Sequence, residues 1–127
     1  MAWSLPSHAQ REQRALRAMG VEGWDALACL GDDRLSELAL TQGASVVTLR
    51  RLRGQARLVV DLKLQPAEAA LLLHAGIADA RALARAQPQE LWVQTGRLQR
   101  RLTGSAVSPP DLATVTRWIQ RARRGTN

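Results

Sequence analysis

The chain has 127 residues, 46% of them hydrophobic, and a formal net charge of +7 from 18 basic and 11 acidic residues. That hydrophobic content excludes a disordered tail, and the length allows one domain or two very small ones. Phe and Tyr are absent and four Trp are the only aromatics, so the core must be built from Leu, Ala and Val, which suits close helix packing better than a sheet.

Ser7 with Gln10 has capping-box spacing, so a first helix is expected to begin after Pro6 and end at Gly20. A short helix follows from Trp24 to Leu30, and a third, capped by Asp32 or Asp33, through about Thr41. Gly43 breaks that helix and Ser45 caps a fourth, Val46 to Leu62, with Val46, Leu49, Leu52, Ala56 and Val59 on one face and Arg50, Arg53 and Arg57 on another. Pro66 opens a fifth that Gly76 ends, Asp79 caps a sixth ending near Ala86, and Pro88 opens a seventh through about Thr95. The segment GRLQRRLTGSAVSPP is then expected as an exposed loop, and Asp111 to Arg124 as the last helix, with Leu112, Val115, Trp118, Ile119 and Ala122 inward and Arg117, Arg121 and Arg124 outward. No segment alternates with period two for long enough to be a strand.

The chain repeats itself. A shift of 56 positions places Glu12 on Glu68, Leu16 on Leu72, Gly20 on Gly76, Leu27 on Leu83 and Leu35 on Leu91. The register then slips by ten residues and places Ser45 on Asp111, Leu49 on Val115, Leu52 on Trp118 and Arg57 on Arg123. The expected fold is all-α, with two tandem repeats of about four helices each, 1–63 and 64–127, packed as one compact unit because neither half is large enough for a secure core of its own.

Charge is concentrated at one end. From Arg97 onward there are seven arginines and one acid, Asp111, whereas the preceding 96 residues carry eleven basic and ten acidic groups. Arg97, Arg100 and Arg101, with Arg117, Arg121, Arg123 and Arg124, are therefore the candidate binding residues. They suit phosphate contacts with a nucleic acid, bidentate pairing with an acidic protein surface, or no more than a solvated face.

Trp118, matched by Leu52, is expected in the core. Trp24 and Trp92 align with Ala80 and Ser36, so each either plugs the interface between the repeats or stands exposed as a partner anchor. Trp3 is a further anchor candidate.

Catalytic chemistry finds little support. His8 and His74 are the only histidines, and His74 aligns with Ala18, so a surface or partly packed role is expected for it. Cys29 lies in an apolar run and is expected to be a buried structural thiol, and as the one cysteine it excludes an internal disulfide. The carboxylates and histidines fit no standard metal spacing, and the glycines form no nucleotide-binding motif. No cofactor, metal, catalytic residue or small-molecule substrate is expected. The N-terminal residues lack an apolar stretch long enough for a signal peptide and no apolar run reaches the length of a membrane span, so a cytoplasmic location is expected.

The pattern Leu-x-x-Ala-Gly-Ile, followed by Ala-Leu and then Pro-x-x-Leu, resembles the helix-hairpin-helix class. Three stretches, LLLHAGIADARALARAQPQELW (71–92), SPPDLATVTRWIQRAR (108–123) and QGASVVTLRRLRGQARLVVDL (42–62), more closely resemble an uncharacterised bacterial family, domain of unknown function 4332. The resemblance implies a helical module of helix-hairpin-helix-like units and no particular activity. Nucleic-acid-binding members of the wider class read apolar-Gly-apolar-Gly in the hairpin. The matching stretches here, WSLPSHAQR and LKLQPAEAA, keep Pro6 and Pro66 but neither glycine, which weakens the phosphate contact in both copies. The expected function is a non-enzymatic binding module, nucleic-acid binding through the C-terminal arginines or, alternatively, an adaptor docking on an acidic protein surface.

Overall fold

A computed structural model describes residues 9–125. Eight helices occupy them: α1 Gln10–Ala18, α2 Trp24–Ala28, α3 Asp32–Gln42, α4 Val46–Leu62, α5 Pro66–His74, α6 Ala80–Ala84, α7 Pro88–Thr103 and α8 Leu112–Gly125. No strand occurs among the described residues. The capping box expected at Ser7, and Trp3, lie outside them.

The helix boundaries carry the spacing of the sequence. Both ends of α1 and α5, and both ends of α2 and α6, stand 56 positions apart, as do the starts of α3 and α7, and α8 starts 66 positions after α4. The turns match too. Gly20 and Gly76 take left-handed φ of 81° and 84°. Val21 then donates to Leu16 O at 2.9 Å and Ile77 to Leu72 O at 2.8 Å, closing the same helix-terminal motif twice. Ser45 Oγ accepts from the Thr48 N–H at 3.2 Å and the Asp79 carboxylate from Ala82 at 2.8 Å, so both are the expected N-caps. Asp111 precedes α8 and accepts from Thr114 in the same way, at 2.8 Å.

The longest helix, α4, holds the assembly together. It packs against α2 and α3 from the first half and α5, α6 and α8 from the second. One continuous apolar cluster runs from Ala9 to Ala122 and takes in Leu16, Leu27, Leu35, Leu49, Leu72, Leu83, Leu91 and Ile119. Trp118 is 4% exposed, in the core as expected. Trp24 is buried beside the end of α4 and the α4–α5 link. The buried Glu12 carboxylate accepts the Ser45 N–H at 3.0 Å, tying α1 to the start of α4. Gln55 Nε2 reaches from α4 to Pro66 O at 2.8 Å, linking the halves.

Three expectations are corrected. Helix α7 does not stop at Thr95 but continues to Thr103, so Arg97, Arg100 and Arg101 are helical rather than on a loop. RLQRRL contains only good helix formers, and the one break inside the run, Gly96, costs about 1 kcal/mol, too little to end a packed helix. Gly104, at a positive φ of 62°, ends it. Asp32 and Asp33 lie in the first turn of α3, after an N-cap at Gly31, where they favour the helix through its dipole. Cys29 is exposed. It is the C-cap of α2, and the inward directions at that turn are taken by Leu27 and Leu30.

Arg53 lies between α4 and α3. Its Nη2 is 2.7 Å from Asp32 Oδ1 and its Nη1 donates to Leu30 O at 3.1 Å. The hydrogen bond from Arg53, then its charge, hold the Asp32 carboxyl below its ordinary value of 3.8. A carboxyl with a depressed folded-state pKa stabilises the fold above its unfolded value and loses that contribution as pH falls through the folded one. Asp32→Asn is therefore expected to lower stability near neutrality and to flatten the decline below about pH 4, as read by denaturant melts across that range.

Candidate binding surface

The seven candidate arginines divide by what their guanidinium groups touch. On α8, Arg121 Nη1 donates to Leu62 O at 2.6 Å and Arg123 Nε to Ala84 O at 2.9 Å. These are the last carbonyls of α4 and α6, groups that have no partner within their own helices. The two side chains therefore tie α8 to the ends of α4 and α6, while both residues stay exposed. Arg57 makes the corresponding contact in the first half, its Nε donating to Ala28 O at 3.4 Å. Arg117 is exposed, with Nη2 on Thr114 Oγ1 at 3.0 Å, and Arg124 is exposed. Arg121→Ala is expected to cost about 1 kcal/mol, low for a charged donor because the group stays partly in water, with the denaturation midpoint shifted and the slope unchanged.

On α7 the arrangement differs. Helical spacing by four sets Trp92, Gly96 and Arg100 on one ridge and Val93, Arg97 and Arg101 on the next. Trp92 is 41% and Val93 46% exposed, and the three arginines are exposed. Trp92 is therefore no plug between the halves. Gly96 leaves a notch between Trp92 and Arg100, closed on one side by Pro109. A Cβ built on Gly96 would meet only Arg100 Nη2, at 3.8 Å. Gly96→Ala should consequently raise stability by about 0.5–1 kcal/mol through helix propensity while filling part of the notch, which thermal melts can check.

The segment after α7 has no equivalent in the first half, where Gly43–Ser45 connects α3 directly to α4. Here Val107 to Pro110 close a cleft of about 640 Å³ with α5, the end of α7 and the start of α8. Leu71 and Trp118 lie on its inner side, and Leu102 and Val107, 51% and 50% exposed, at its mouth. Its two carboxylates have partners: Glu68 Oε1 accepts the Gln65 N–H at 2.9 Å and Asp111 the Thr114 N–H. The hydrogen bonds of Thr114, side chain before backbone, hold Asp111 below the ordinary carboxylate value. His74 also lines the cleft and is exposed, a surface role as expected. Sequence reasoning singled out Trp92 and the arginines but not Val93, Leu102, Val107 or Pro109. The insertion carrying the last three was the signal.

The hairpin before α5 lacks an open phosphate cradle. Lys63 takes the left-handed conformation, φ 53°, without a glycine. The Glu68 carboxylate accepts the Gln65 N–H at the α5 N-terminus, 2.9 Å away, so a donor that a phosphate would seek is already satisfied. Among the described residues, no three His, Cys, Asp or Glu side chains come together to hold a metal ion, and no helix is long and apolar enough to cross a membrane.

The chain matches the family described as Domain of unknown function (DUF4332) over residues 6–125, nearly its whole length, and belongs to it. No curated protein and no solved structure matches it.

Proposed function

We propose that this protein is a non-enzymatic docking module, built from two helix-hairpin-helix-like repeats, that binds an acidic protein surface through α7. The observation that carries the reading is the company Trp92 keeps: with Val93 it stands exposed among Arg97, Arg100 and Arg101 on one helix. Trp and Arg together are the residue types that dominate binding energy at protein interfaces, and Arg pairs with carboxylates through two parallel hydrogen bonds. The self-capped α5 hairpin and the engagement of Arg121 and Arg123 with carbonyls both argue against phosphate as the main ligand.

Nucleic-acid binding is the second reading, favoured by the surplus of arginine from Arg97 onward and by the exposure of Arg117 and Arg124. The two readings differ in salt response. Three phosphate contacts would give a log–log salt slope of about −2.7, whereas an interface anchored by Trp92 is less salt-dependent and is lost on Trp92→Ala. The test is affinity capture at several salt concentrations, with and without nuclease. The proposal expects a defined protein that survives nuclease and is lost on Trp92→Ala. Recovery of nucleic acid alone would overturn it.

A further inference from the structure

We infer that the insertion between α7 and α8 makes the second half the binding half, and that its cleft receives bulky apolar side chains from an acidic segment of the partner protein. This rests on the docking reading above and specifies the partner's chemistry.

The two halves share the starts of their helices and the turns at Gly20 and Gly76, but α7 runs five residues further than α3 and a longer connection follows it. The extra residues place Pro109 against the Gly96 notch and Val107 at the mouth of the cleft. Notch and cleft therefore share Pro109 as a common wall. The volume of about 640 Å³ is in the range of about 300–1,000 Å³ in which proteins enclose small ligands or a few side chains. It suits a short segment of a partner rather than a broad flat interface.

Charge specifies the rest of the segment. Arg97 and Arg100 border the notch, and Arg101 follows Arg97 along the same ridge. The carboxylates in the cleft, Glu68 and Asp111, already accept backbone N–H groups. A complementary segment carries its apolar residues over Leu102 and Val107 and its Asp or Glu residues over the arginines. Opposite charge then fixes direction and register, and apolar burial supplies affinity.

The test is selection of a displayed library of random peptides on the full chain, followed by binding measurements on the selected peptides. Two variants serve as controls: Leu102→Asp with Val107→Asp at the cleft mouth, and Arg97→Glu with Arg100→Glu and Arg101→Glu on the ridge. Circular dichroism establishes that both are folded. The expected result is enrichment of peptides with bulky apolar residues next to Asp or Glu, weakened about tenfold or more by either variant. Peptides lost on the ridge variant but unaffected by the cleft variant would overturn this inference and leave the docking reading standing. No enrichment over the variants, together with tight salt-sensitive binding of a duplex DNA probe, would overturn both.

Discussion

Trp118→Ala should lower the free energy of unfolding by about 3–5 kcal/mol, the usual cost of truncating a large buried aromatic. Trp118 is 4% exposed and lies in the same apolar cluster as Val115, Ile119 and Ala122. Its aligned partner in the first half, Leu52, is also buried. Domains of this size are stable by only about 5–15 kcal/mol, so the loss would be a large share of the total. Urea melts measure it directly. A loss below about 1 kcal/mol would place Trp118 outside the core, and with it the inward face assigned to α8.

The combined substitution Arg97→Glu, Arg100→Glu and Arg101→Glu should abolish binding while leaving the helical content intact. The three side chains are exposed, so no buried contact is lost. Acidic groups at positions 100 and 101, in the last turn of α7, cost about 0.3–1 kcal/mol each, which the fold can absorb. Repulsion from an acidic partner is the larger effect, because like charges facing each other across an interface cost several kcal/mol. Circular dichroism reads the fold and capture of partner reads the binding. Unfolding of this variant would show that the ridge is structural.

Much of the fold is legible because its signals are local. Ser45, Asp79 and Asp111 announce their helices through a side chain and an N–H three residues away. Gly20 and Gly76 announce turns through a φ that other residues rarely adopt. The length of α7 is less legible, since an isolated glycine is a break in one context and a tolerated position in another. The role of the α8 arginines is not local at all. Arg121 and Arg123 find their carbonyls 59 and 39 residues earlier in the chain. One clue to it does lie in the sequence: Arg57 and Arg123 occupy matching positions in the two halves, and both bond a helix-terminal carbonyl, Ala28 O and Ala84 O, themselves 56 positions apart. Arg57 and Arg123 therefore serve the scaffold. Arg97, Arg100 and Arg101 have no such counterparts, which fits a role particular to the second half.

Whether α7 recognises protein rather than phosphate is measured most directly by capture from nuclease-treated lysate at moderate salt, on the wild-type chain and on the Arg97→Glu, Arg100→Glu, Arg101→Glu variant side by side. A defined protein retained by the wild type and absent from the variant is the predicted result. Material that disappears with nuclease, or a protein held equally by both, would contradict it.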